Sequence, residues 1–239
     1  MNAAARVGLL GGTLDPIHLG HVEAALAARR ALGLDRVIVF PARVPPHRLQ
    51  QPVASPYHRF AMTALAVNGL DGFAASDIEL CAPGPSYTAD TLTRFHERWA
   101  LPPAQIFFIT GADAFAEIET WHRYPEVLGL SNFVVISRPG FPAEALRQRL
   151  PALARRMATA PDPNAERGIR RPEPVESPAI FLVDAQTPDV SSTEIRRRLR
   201  RGERLSGLVP AAVEQHIVQH GLYTDDPASF TADHLHGQN

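Results

Sequence analysis

The chain has 239 residues, 45% of them hydrophobic, and a formal net charge of -1, which is enough apolar content to bury a sizeable core without disulfides or a structural metal. The near-neutral balance excludes bulk attraction to nucleic acid or an anionic membrane surface, and a single cysteine, Cys81, excludes an internal disulfide and every multi-cysteine metal site. All 24 basic residues are arginine, so a Walker-type phosphate loop and any Schiff-base or lysyl-adenylate chemistry are excluded as well.

Residues 1–6 carry no apolar signal core, and no run approaches the about 20 apolar residues of a membrane helix. The expectation is a soluble cytoplasmic protein. Strand-like apolar runs at 7–10, 37–40, 106–110, 133–137 and 180–183 alternate with helical stretches near 18–32, 56–68, 88–99, 112–129 and 192–201. That alternation predicts an α/β fold, a doubly wound parallel sheet with helices on both faces. In such a sheet the ligand crevice forms beyond the carboxyl ends of the strands, where strand order reverses. Residues 11–21, 41–48, 111–113 and 138–140 each follow a strand, so their side chains are expected along one edge. Residues 209–220 read as a packing helix with Pro210 near its start and Gly221 past its end. One domain over residues 1–223 is expected. Within it, 141–178 form a variable connection with a helix near 143–157, and 224–239 read as a disordered tail.

The densest chemistry lies in Gly11-Gly12-Thr13-Leu14-Asp15-Pro16-Ile17-His18-Leu19-Gly20-His21. Paired glycines between a strand and a helix let backbone N–H groups approach an anion, and the helix start adds a favourable dipole. His18 and His21, three apart, face the same side of the first turn. A histidine pair could also ligate a metal, but no nearby Glu completes a zinc-hydrolase pattern, and no metal site is expected. Ser191-Ser192-Thr193-Glu194 reads as a capping box, Ser191 with Glu194; the same capped start, with Arg196 nearby, is also an anion site. Pro85-Ser86-Tyr87-Thr88 opens another helix, whose N–H groups suit a carboxylate. Asp113, after Gly111, could accept from a ribose, cap the following helix, or both. For Trp121 alone, core packing is the default. His58, His96, His122, His216 and His220 match no chemical pattern and read as surface or packing residues; His234 and His236 read as part of a solvated tail.

The string from Gly11 to His21 resembles the His-x-Gly-His signature of the nucleotidyltransferase superfamily. Together with Val44-Pro45-Pro46-His47, Pro85 to Thr88, Gly111-x-Asp113, Thr120-Trp121, Arg138-Pro139-Gly140 and Val190 to Arg196, it resembles the bacterial nicotinate-nucleotide adenylyltransferases over most of residues 6–223. That resemblance implies a Rossmann-like nucleotidyltransferase fold. It also implies transfer of adenylate from ATP to nicotinate mononucleotide, with Mg2+ arriving on ATP. By the same resemblance His18, His21 and Arg196 would be catalytic, and Gly11, Gly12, Thr13, His47, Ser191, Ser192 and Thr193 would hold ATP and its phosphates. Asp15, Ser86, Tyr87, Thr88, Asp113, Trp121 and Arg138 would bind the mononucleotide. Arg48 stands where the family often has Lys, and Leu14 where Phe is usual. The partners implied are two small molecules, with no nucleic acid and no membrane; assembly into a homo-oligomer is left open. The nearest rival is a sister adenylyltransferase acting on nicotinamide mononucleotide or phosphopantetheine. A catalytically silent nucleotide-binding module is the rival from another class, and intact His18, His21 and Arg196 speak against it.

Overall fold

The computed structural model describes residues 5–46, 53–163 and 178–224. Its centre is a seven-stranded sheet of β1 (Val7–Gly12), β2 (Arg36–Pro41), β3 (Phe73–Ala75), β4 (Ile106–Gly111), β5 (Asn132–Ile136), β6 (Met157–Thr159) and β7 (Ile180–Val183). The order is β3-β2-β1-β4-β5-β7-β6, and every pairing is parallel. The chain builds outward from β1 through β2 to β3, then returns to lay β4 on the other side of β1. The expected reversal of strand order therefore falls between β1 and β4.

The apolar strands are explained by burial on both faces. Alternate side chains enter opposite layers. Leu10, Val39, Ile109, Val134 and Phe181 join one core with helices α1 (Leu19–Leu32), α2 (Pro56–Val67), α6 (Ser192–Arg200) and α7 (Ala211–Gln219). Leu9, Phe40, Phe108, Phe133 and Val135 join the other, with α3 (Thr88–Trp99), α4 (Ala112–Phe115) and α5 (Leu146–Arg149). This is the doubly wound arrangement that the element pattern predicts, and the Rossmann-like fold that the resemblance implies.

Three local expectations are corrected. The helix expected over 112–129 is broken into α4 and 3-10 turns at Ile118–Thr120 and Glu126–Gly129. Trp121 is extended and Arg123 takes a left-handed φ of 61°, while Pro125 biases the residue before it away from helix. The helix expected near 143–157 is likewise divided by Pro151, and Met157–Thr159 is a strand on the sheet's edge rather than the start of a connection. Strand β3, at the opposite edge, has no counterpart in the expected runs. Residues 164–177, the tail from 225 onward, and His47 with Arg48 lie outside the described residues. Among the described residues no helix is long and apolar enough to cross a membrane.

Candidate active site

Strand β1 runs directly into the glycine corner. A Cβ on Gly11 would sit 2.5 Å from the Phe40 ring, so glycine here leaves room for that ring beside the carboxyl end of β1. His18 is the N-cap residue of α1, with extended backbone (φ -144°, ψ 172°), which turns its ring across the first helical turn. The His18 and His21 rings pack with centroids 3.7 Å apart, tilted by 34°. A Cβ on Gly20 would press on the His18 ring at 3.1 Å and on the Pro188 carbonyl at 3.3 Å. A glycine that weakens the helix thus makes room for the imidazole beneath it. The backbone N–H of His18 donates to His21 Nδ1 at 3.3 Å. A neutral His21 ring therefore carries its proton on Nε2.

His18 is only 2% exposed. Burial, and then the charge of Arg138, push its pKa down from 6.5 to about 4. The same causes, with His18 itself, lower His21 well below the usual histidine range. Both rings are neutral at pH 7, and an incoming polyphosphate would raise their basicity. Because the unfolded chain takes up the His18 proton at a higher pH than the native one, this site subtracts stability as pH falls from about 6.5 towards 4. A shift from 6.5 to about 4 amounts to roughly 3 kcal/mol across that window. Urea midpoints measured from pH 7 to 4 are expected to fall, and to fall less steeply in His18→Gln; parallel curves for the two proteins would contradict the shift.

Behind the histidines lies a buried polar hub. Asp15 is 1% exposed. Its carboxylate accepts from the backbone N–H groups of Val53 (2.8 Å) and Ala54 (3.1 Å) and from the Tyr223 hydroxyl (2.7 Å). Arg196 donates to the Asp15 carbonyl at 2.6 Å, lies 3.7 Å from its carboxylate and reaches Thr193 Oγ1 at 3.4 Å. Burial and Asp15 together push the Tyr223 hydroxyl pKa upward, so it stays protonated as a donor. Ser192 Oγ donates to the Pro16 carbonyl at 2.9 Å. Ser191 caps α6 through Glu194 N–H at 3.2 Å as anticipated, but the Glu194 carboxylate turns to Arg197 and Arg198. Asp15, expected to face the mononucleotide, is thus engaged inside the fold, and Arg196 grips the histidine loop from behind. Arg138 is the more accessible cation. It lies 3.9 Å from Asp113, donates to the Val190 carbonyl at 3.5 Å and exerts its charge on both histidines. A Cβ on Gly111 would strike Asp113 at 2.5 Å and Arg138 at 3.1 Å, so this glycine makes the approach possible.

Between the ends of β1 and β4 opens a cleft of about 500 Å³. Gly11, Gly12 and Thr13 line it together with Tyr87, Thr88 and Trp121, whereas His18, His21 and Arg196 are not among its lining residues. Trp121 is set edge-to-face against Phe108, 6.2 Å between centroids at 85°, leaving it partly exposed at the cleft. Tyr87 stacks on His122 at 4.3 Å and, as N-cap of α3, supplies no side-chain cap, so the orphan N–H groups of that helix start are available at the cleft wall. The Ser86 hydroxyl is occupied: it accepts from Arg43 N–H at 2.9 Å and from Val44 N–H at 3.4 Å, pinning the loop after β2 to α3.

Three features escaped sequence reasoning. Arg59 on α2 is fully buried and donates to the carbonyls of Thr13 (2.8 Å), Ala42 (2.5 Å), Arg43 (3.2 Å) and Ala54 (3.2 Å), fastening the loops after β1 and β2 together. Its only trace in sequence is an arginine on the apolar face shared by Met62, Thr63 and Ala66. Glu79, buried in the cleft wall, accepts from Thr91 Oγ1 at 2.6 Å; burial raises its carboxyl pKa. Finally, His58, His216 and His220, read as unrelated, meet on the outer face; the i, i+4 spacing of the latter two was the available signal.

A cytidylyltransferase-like family model matches residues 9–198. A protein of Desulfatibacillum aliphaticivorans named "Probable nicotinate-nucleotide adenylyltransferase" is 38% identical over 226 residues, covering 91% of this chain and 99% of that one. A Thermus thermophilus protein of the same name is 41% identical over 218 residues, covering 91% and 99%. Among solved structures, a Plasmodium falciparum nicotinic acid mononucleotide adenylyltransferase complexed with NaAD superposes with a TM-score of 0.67 at 16% identity, over 92% of this chain and 97% of that one, a likeness of fold. By sequence over nearly its whole length, the chain belongs to the nicotinate-nucleotide adenylyltransferase family.

Proposed function

We propose that this protein transfers adenylate from ATP to nicotinate mononucleotide, releasing pyrophosphate and forming nicotinate adenine dinucleotide, a step in NAD synthesis. The observation that carries the reading is one cleft lined by the glycine corner together with Trp121 and the open start of α3, with the paired imidazoles a few residues further along the same loop. The pyridine ring stacks on Trp121, and its carboxylate takes the N–H groups at the start of α3, around Tyr87 and Thr88. A 5′-phosphate oxygen then attacks the α-phosphorus of ATP in line. That oxygen is already anionic, so no general base is required, and the P–O bond to pyrophosphate breaks as the new one forms. The protein supplies position and charge stabilisation. His21 donates from Nε2, and His18 beside it, to phosphate oxygens that gain charge. Gly11, Gly12 and Thr13 hold the α-phosphate region, while Ser191, Ser192 and Thr193 at the start of α6 face the leaving group.

The accessibility of the two arginines shifts their parts. Arg138, beside the histidines, is assigned to the phosphates rather than to the mononucleotide, and Arg196 fixes the loop that carries His18. Asp113 is left to the ribose. Divalent metal enters as MgATP. Asp15 is saturated by protein donors and Asp113 pairs with Arg138, so the phosphates themselves supply the oxygen ligands that magnesium prefers.

The test is pyrophosphate release with ATP and either the acid or the amide mononucleotide. Preference for the acid supports the reading; turnover with the amide or phosphopantetheine alone overturns it. Trp121→Ala is expected to raise KM for nicotinate mononucleotide about tenfold, the loss of about 1–2 kcal/mol of stacking, with KM for ATP unchanged. An equal rise for both substrates would place Trp121 in the core rather than against the ring.

A further inference from the structure

Outside the cleft, where α2 packs on α7, three imidazoles from distant parts of the chain converge. His58 stands in the first turn of α2, its N–H tied to the capping Ser55 hydroxyl at 3.2 Å. His216 lies in the last turn of α7, and His220 is the residue that ends it. Ring centroids are 5.3 Å apart for His58 and His216, 4.9 Å for His58 and His220, and 4.4 Å for His216 and His220. His58 Nδ1 already faces His216 Nε2 at 3.1 Å, and one nitrogen from each of the three rings lies within 4.8 Å of the others.

We propose that His58, His216 and His220 form a binding site for a divalent transition-metal ion of the zinc class. Nitrogens bound to one tetrahedral zinc lie about 3.3 Å apart, given Zn–N bonds of about 2.0–2.1 Å. One pair is at that spacing already, and the exposed His220 ring closes on the other two by small side-chain rotations. A simple hydrogen bond between packed rings accounts for the His58–His216 contact alone. It gives no reason for a third imidazole to turn to the same point. Three neutral nitrogen donors without a thiolate or carboxylate select zinc, nickel, copper or cobalt over magnesium or calcium, and the fourth position is left to water. The ion would clip α2 to α7. The residue after His58 is Arg59, which fastens the glycine corner, and three residues beyond His220 is Tyr223, which holds Asp15. Because the ligands are assembled only in the folded chain, binding stabilises the native state.

The experiment is a calorimetric titration of the metal-stripped full chain with ZnCl2, repeated with MgCl2, alongside the visible spectrum of the Co2+ complex. One zinc per chain is expected, with a raised Tm, no comparable magnesium binding, and a Co2+ spectrum of tetrahedral nitrogen coordination. His216→Ala and His220→Gln should each weaken zinc binding at least about tenfold, with metal-free turnover as in the wild type. His220→Gln alters the exposed end of the helix and keeps the test open if His216→Ala fails to fold. Unchanged zinc affinity in both variants, or binding lost only in His18→Ala and His21→Ala or on removal of His234 and His236, overturns the assignment. The clip does not depend on which substrate the cleft takes, so its failure and that of the adenylyl-transfer reading are separable.

Discussion

His18→Ala is expected to lower kcat by about two to three orders of magnitude while KM for ATP moves only a few-fold. The expectation follows from where the ring sits. It is buried, packed on His21 at 3.7 Å, and neutral in the free protein because burial and Arg138 oppose its charging. A neutral donor binds ground-state ATP weakly. Its hydrogen bond strengthens as the phosphate oxygens gain charge, in a setting where no solvent reorganisation is needed. Removing it therefore costs transition-state stabilisation first. Steady-state kinetics with both substrates varied decides the matter: a change confined to KM would make His18 a ground-state binding residue, and unaltered kinetics would remove the histidine pair from the chemistry.

Arg59→Ala is expected to destabilise the fold by about 3–5 kcal/mol, read as a lowered urea midpoint. Four backbone carbonyls lose their donor at once, and each buried acceptor left unmade costs about 1–3 kcal/mol before relaxation. The buried carboxylates of Asp15 and Glu79 also lose a stabilising cation. Arg59→Lys is expected to recover little, because one ammonium cannot span the Thr13, Ala42 and Arg43 carbonyls that the planar fork reaches together. A loss below about 1 kcal/mol would mean that water takes over those bonds.

Much of this was readable from the chain because the sheet is buried on both sides. The five longer strands are unbroken apolar runs, and the glycine corner, histidine pair and α6 cap are local patterns whose physics acts within a few residues. The edge strands Phe73–Ala75 and Met157–Thr159 are too short for periodicity to register. The part of the site that stayed hidden is the set of partners. Nothing local to Asp15 says that its acceptors meet Val53, Ala54 and Tyr223, nor that Arg196 turns inward while Arg138 stays near the surface. Such choices are made by packing between elements, and a sequence pattern names the groups without assigning the bonds. Arg59 illustrates the same point from the other side, since a cation on an apolar helix face is explained only once the carbonyls it meets are in view.

The bonds from Arg196 and Tyr223 to Asp15 join positions 181 and 208 residues apart. During synthesis, domains fold progressively from the N-terminus, yet this loop acquires its last tethers from Arg196 and Tyr223, which are made long after it. The histidine loop is therefore fully tethered only after Tyr223 has left the ribosome, and a nascent chain stalled short of that residue would carry an unfinished reaction centre.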